Sequence, residues 1–373
     1  MMGRVLMARG APAVALLAAV WPAVHGPVLV GQADVAAPTC VAAPGSLTPS
    51  DWTTPSLATP ADAPRGALRV VRDVPLPGPA NRFDYQSIDP TARRLYISHM
   101  DAGQLVVFDL DASKVLATVS GVDRATGVWA VPEQHAVYVS AAGRHEVAVV
   151  DDQTLKIGAR VGGVRFPDGI AYAPAEQKVF VSDEAGAADV VIDARTNLKR
   201  STIPLGGAAG NTRYDSVSHC ILVAVQTRQQ LVAIDPATEA IVQRYDLPGS
   251  DRPHGFTLDE AGRLAFVSSE GNAVLQVVDL RTMQVIATHR VGDDPDVLAW
   301  DSGWRRLYVA SESGLVSEFA ADGRELHVLG TVRLPHAHTV GVDPRTHWVY
   351  LPLQDLGGKP VLRILEPNTQ PGR

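Results

Sequence analysis

Seven copies of one short strand phrase, returning every 42 to 44 residues, predict an all-β chain closed into a seven-bladed β-propeller. The phrase is "LYIS" at Tyr96, "VYVS" at Tyr138, "VFVS" at Phe180, "ILVAV" at Leu222, "AFVS" at Phe266, "LYVA" at Tyr308 and "VYLP" at Tyr350. Around each copy run four short apolar or alternating segments separated by turn residues, with no helical periodicity, and that is the pattern of one propeller blade. A third observation closes the ring. The last unit, from His338 to about Pro367, holds only three strands, and "LRVVRDVPL" at 68–76 copies the missing fourth. An N-terminal strand that completes the C-terminal blade removes an exposed sheet edge.

Taken in order, the chain begins with Arg4 and Arg9, then an apolar stretch from Ala11 to Val24 that ends in small residues. This reads as a secretory signal over residues 1–26, with cleavage as late as 33, and its length and prolines suit an export signal better than a membrane span. No later segment is apolar enough to span. Residues 27–66, rich in Ala, Pro, Thr and Ser, read as a linker. The propeller occupies 67–367, and 368–373 is a tail. Cys40 falls in the linker and Cys220 inside a strand of the fourth unit; the two could pair, but a partner in a linker argues against it.

Within each unit the first strand opens on an entry phrase, as in "FPDGIAYAP" and "RPHGFTLDEAG". A turn follows ("DPTA", "DEAG", "DPRT"), then the aromatic strand, then a third strand ending in Asp109, Asp151, Asp193, Asp235 or Asp279. A fourth strand such as "AIVQRYDL" ends the unit. Blade four departs most, lacking both Pro-x-Gly and the aromatic. The dipeptide Trp300-Asp301 occurs once, out of place for a WD repeat.

These features resemble the YVTN-repeat β-propellers, exported or surface proteins of bacteria and archaea. The resemblance covers nearly all of 67–367 and rests on the tyrosine-valine strand, the terminal Asp of the third strand and the Pro-x-Gly entry. It implies the fold and export; it does not imply a chemistry, because this fold hosts many unrelated functions.

Charge narrows the partners. The chain carries 33 basic and 40 acidic residues, and without Arg4 and Arg9 the balance is −9. An acidic chain without a basic run has no footprint for nucleic acid. A small molecule, an ion or a protein remains as partner, and a monomer is expected. There is no G-x-S-x-G elbow, P-loop or dinucleotide fingerprint.

Candidate site residues emerge by counting twelve positions back from each aligned aromatic: Asp84, Thr126, Asp168, Gly210, His254, Asp296 and His338. Inner strands line a propeller's channel, so these residues should ring one mouth, with Asn211 replacing Gly210 if blade four slips by one. Two residues earlier lie Arg82, Arg124, Phe166, Ala208, Arg252, Asp294 and His336, which an extended approach would carry to the same rim. His254, Asp296, His338 and Asp84 come from consecutive blades once the ring closes. Two imidazoles and two carboxylates form a candidate ligand set for one divalent metal such as Zn, Mn or Fe(II). The other histidines (His99, His135, His145, His219, His289, His327, His347) read as solvent-facing turn or outer-strand residues.

Three functions are compatible with this pattern. The first is an exported binding or scaffold protein presenting a polar channel mouth. The second is a metal-assisted hydrolase or lyase, since propeller lactonases and streptogramin lyases are similar in architecture. The third is a redox subunit similar to that of amine dehydrogenases.

Overall fold

The computed structural model describes residues 39–44 and 68–368. The signal-peptide expectation over 1–26, most of the linker and nearly all of the tail lie outside the described residues. Strands form seven four-stranded antiparallel sheets, one per blade, and the helical elements are single 3-10 turns. Blades one to six follow chain order. Their inner strands are Gln86–Asp89, Ala125–Val131, Pro167–Ala173, Ala209–Asp215, Pro253–Asp259 and Pro295–Asp301. Among the described residues no helix is long and apolar enough to cross a membrane.

Blade seven combines Gly341–Val342, Val349–Leu353 and Val361–Pro367 with the strand Leu68–Pro75. That strand runs antiparallel to Val361–Pro367, from Leu68 opposite Pro367 to Pro75 opposite Val361. The closure inferred from the sequence is thus present, pinned by Arg363–Asp73 at 2.7 Å and by Arg69–Glu366.

The cores lie between blades. The second strand of each blade is buried nearly end to end, as in Ala136–Ala141 and Leu264–Ser269, so its side chains pack against both neighbouring sheets. Tyr96, Tyr138, Tyr308 and Tyr350 are fully buried there, which explains the recurrent aromatic. The outer strand alternates, as in Ala240–Asp246, where only every second residue turns inward.

A second repeated device links blades. The Asp at or just past the end of several inner strands meets a basic side chain on the next blade: Asp215 with Arg263, Asp259 with Arg305, Asp301 with His347, and Asp343 with Arg93 across the closure. The partner always sits in the turn before the aromatic strand, with φ between 52° and 61°. His347 therefore makes an inter-blade contact, its Nδ1 2.9 Å from Asp301 Oδ2, and is not a free turn residue. His99 also departs from expectation, being fully buried with its ring stacked on Phe83 at 4.0 Å.

The linker reading needs one correction. Cys40 is bonded to Cys220, Val41 N–H donates to Ser218 O at 2.9 Å, and the Tyr245 hydroxyl donates to Ala43 O at 2.8 Å. Cys40, Ala42 and Ala43 pack against a core formed by blades four and five. Burial of these small apolar side chains fixes the segment, and a polar linker would not have supplied it.

Candidate functional site

At the mouth the inner strands begin with a β-bulge. In blade five, Pro253 pairs with Ser269 and Phe256 with Val267, so His254 and Gly255 face one partner residue. Bulges at the same place in blades two, three, four and six re-aim the side chain that follows the turn. The glycine after the ring residue permits close approach of neighbouring strands. A Cβ on Gly127 would lie 1.8 Å from the Asp168 carbonyl oxygen, and one on Gly255 would lie 1.6 Å from that of Asp296.

The ring residues of blades one, three, five, six and seven converge. His254 Nε2 lies 3.3 Å from Asp296 Oδ1 and 3.4 Å from Asp168 Oδ2. His338 Nε2 lies 2.9 Å from Asp296 Oδ2 and 3.4 Å from Asp84 Oδ1. Asp296 therefore spans both imidazoles, one oxygen to each. All five residues are buried, at 3–7% exposure, which is unusual for charged groups and demands compensation. Thr126 is buried too, but its hydroxyl donates to Pro167 O at 2.8 Å and serves the junction between blades two and three.

Blade four does not slip. Its bulge residues are Gly210 and Asn211, so Gly210 holds the ring position and Asn211 the position that is glycine in blades two, three and five. Asn211 Oδ1 accepts from Arg213 at 2.8 Å, deeper in the channel, and Asn211 does not border the mouth cavity. The upstream set also differs from its expectation. Arg124, Arg252, Asp294 and His336 have φ of 49–59°, so the approach is a left-handed turn and not an extended strand. Arg82, Arg124, Phe166 and Arg252 still border the mouth, with Arg124 over the Phe166 ring, whereas Asp294 and His336 are exposed and do not border it.

Sequence reasoning missed a second ring. Four residues after the aligned aromatics lie Glu184, Gln226, Glu270 and Glu312, and all four reach the site. Glu270 Oε1 is 3.5 Å and Gln226 Nε2 2.9 Å from His254 Nδ1, while Glu312 Oε1 is 3.4 Å from His338 Nδ1. Gln226 Nε2 also lies 3.4 Å from Glu184. The same counting that found the first ring would have found these. Tyr85 was missed as well. Its hydroxyl lies 3.3 Å from His254 Nε2 and 3.4 Å from Asp168, at a position that other blades fill with smaller residues.

These contacts set the charges. Burial opposes a charged His338, but Asp296 and Asp84 outweigh it and push its pKa up to about 10. Burial likewise opposes charging of His254, and Asp296, Asp168 and Glu270 reverse the balance to hold it well above the usual imidazole value. Burial would raise the Asp296 carboxyl, but His338, His254 and Arg82 draw it far below the ordinary range. Asp168 moves the other way, because burial dominates over His254. Glu270 and Glu184 are raised mainly by burial.

Among the described residues, two sets of three groups bring ligand atoms within 4.8 Å of one another: Asp84, Asp296 and His338, and His254, Glu270 and Asp296. Both include Asp296. Asp84 Oδ1 is buried with no hydrogen bond beyond its 3.4 Å ion pair to His338, and Arg82 Nε nearby is buried without a hydrogen-bond partner. The mouth cavity measures about 140 Å³.

No protein-family model matches the chain, and no curated protein does. Among solved structures the fold is widespread. One similar chain belongs to Kuenenia stuttgartiensis hydrazine synthase, at 16% identity and a TM-score of 0.63, over 77% of this chain and 96% of that one. At that identity the likeness shows the fold alone. The chain is a seven-bladed β-propeller.

Proposed function

We propose that the protein is an exported binding propeller whose channel mouth holds one divalent cation on His338, Asp296 and Asp84. The observation that carries this reading is the convergence of His338 Nε2, Asp296 and Asp84 within 4.8 Å of one another, with the buried Asp84 Oδ1 held only by a 3.4 Å ion pair to His338. A buried carboxylate oxygen that lacks a well-formed hydrogen bond is under-satisfied, at a cost of about 1–3 kcal/mol, and a cation would satisfy it. One nitrogen and two carboxylate oxygens form a mixed set suited to Zn, Mn or Fe(II), with the remaining positions open to water or a small ligand. Charge agrees: six carboxyl groups (Asp84, Asp168, Asp296, Glu184, Glu270 and Glu312) face three guanidiniums (Arg82, Arg124 and Arg252) and two imidazoles, so acidic groups outnumber basic ones even with both histidines counted.

Size favours ion binding over catalysis on an organic substrate at this end. Organic ligands take pockets of roughly 300–1,000 Å³, well above the 140 Å³ here. Export is supported by the basic-then-apolar N-terminus and by the Cys40–Cys220 disulfide, a bond that persists in oxidising compartments.

The test is elemental analysis and calorimetry on protein purified without chelator or affinity metal. One equivalent of metal is expected, retained by wild type and lost in Asp296→Asn, which removes a ligand common to both sets. His338→Ala should abolish binding while His254→Ala weakens it less. Absence of stoichiometric metal near neutral pH would overturn the reading.

A further inference from the structure

The opposite end of the channel holds a larger cavity of about 690 Å³, within the range that organic ligands occupy. It is formed where the inner strands end, by aromatic and aliphatic side chains including Trp129, Tyr172, Tyr214, Trp300 and Leu258. One cation faces it from within the channel, Arg213, whose guanidinium lies 5.6 Å from the Trp129 ring. Its Nη1 donates to Asn211 Oδ1 at 2.8 Å and to Thr212 O at 2.9 Å, which uses both hydrogens of that nitrogen. Nε and Nη2 have no protein acceptor among the described residues, and neither is a sealed, buried atom. A cation held deep in a protein is ordinarily paired, yet among the described residues no carboxylate lies within ion-pair distance of Arg213.

The acids near the cavity are otherwise engaged. Asp259 pairs with Arg305 at 3.1 Å, and Glu260 accepts from the Ser216 N–H at 2.8 Å and hydroxyl at 2.7 Å. Asp168, which attracts Arg213 from the mouth side, is committed to His254 and Tyr85.

We propose that this cavity binds a flat organic monocarboxylate, its carboxylate gripped by the free Nε–Nη2 edge of Arg213 and its apolar body against Trp129 and the neighbouring aromatics. The paired N–H groups on one edge of a guanidinium match the two oxygens of a carboxylate. A single guanidinium balances one negative charge, whereas a dianion would keep an excess beside Asp259 and Glu260. The site is separate from the metal-binding reading and does not depend on it.

The test uses the full chain stripped of metal with EDTA, so that the mouth cannot capture the carboxylate through a cation. 2-Naphthoate and the neutral 2-naphthamide serve as probes, read by calorimetry and tryptophan fluorescence. One naphthoate per chain is expected, bound at least about tenfold more tightly than the amide. Arg213→Lys, which keeps the charge but loses the paired edge, should erase most of that preference and leave the amide unchanged. Equal affinity for acid and amide, unchanged preference in the Lys variant, or no saturation at millimolar probe would each overturn the proposal. If the Lys variant does not fold, transferred NOEs in wild type decide. Contacts from the naphthoate ring to the Trp129 indole are expected, and their absence in the bound complex overturns the site.

Discussion

Asp296 couples the two imidazoles of the mouth, and the coupling dictates how a metal would have to enter. In the metal-free protein His338 keeps its proton up to about pH 10, because Asp296 and Asp84 outweigh its burial. A metal ligand must be deprotonated, so binding at His338 expels that proton. Over a range below pH 10, affinity should therefore rise about tenfold per pH unit for each imidazole proton displaced. Titrations at pH 6.5, 7.5 and 8.5 in a non-coordinating buffer check this. A tenfold slope fits one histidine ligand and a hundredfold slope fits both, whereas a flat profile removes His338 from the ligand set. The metal-free fold responds in the opposite sense. A raised histidine pKa contributes stability that is complete below the unfolded value near 6.5 and is lost as pH climbs through about 10. Chelated wild type should lose melting temperature across that window more steeply than His338→Gln.

At the scale of the element, the strands that do most for the ring are those contributed by distant sequence. Leu68–Pro75 covers the edge of Val361–Pro367 along its whole length. Deleting 68–75 should expose that edge, and the expected outcome is aggregation or a large fall in melting temperature by light scattering and calorimetry. The arm around Cys40 is a second such clamp. Its disulfide spans 180 residues, so Cys40→Ser or reduction should lower stability by about 2–4 kcal/mol in denaturant unfolding. The closing strand was legible because the repeat exposes a missing fourth strand; the arm was not, since nothing in an Ala/Pro-rich stretch announces that it packs on blades four and five. The first ring was legible for the same reason as the blades: one position, counted seven times, carries Asp and His. The left-handed turn before it was not legible, because Arg and His in left-handed backbone carry no glycine signal, so an extended approach stayed open. Asn211 was misplaced because blade four lacks the Pro-x-Gly phrase that fixes the register elsewhere.

At the scale of the whole molecule, a propeller must prevent its first and last blades from parting, and here a buried ion pair reinforces the strand closure. Arg93 grips Asp343 with both terminal nitrogens, at 2.8 and 2.6 Å, across the junction of blades seven and one. The Asp343 side chain is fully buried. Burial alone would raise its carboxyl, but Arg93, with Thr346 and the Arg345 N–H, lowers it to about 2. Arg263 and Asp215 repeat the arrangement between blades four and five, at 2.6 and 2.7 Å, where the chain itself joins the blades. Removing one member of a buried pair strands the other, at about 3–5 kcal/mol. Arg93→Met should therefore destabilise by that amount in urea unfolding, and Arg263→Met by a similar amount. The pH dependence separates a lost ion pair from lost packing. A depressed carboxyl contributes stability that is present above its unfolded value near 3.9 and is lost as pH falls through about 2. In Arg93→Met that contribution disappears, so the variant's deficit should be full at pH 6 and shrink as the pH is taken toward 2. A deficit below about 1 kcal/mol at pH 6, or one that stays constant with acidification, would mean that the closing strand alone holds the ring.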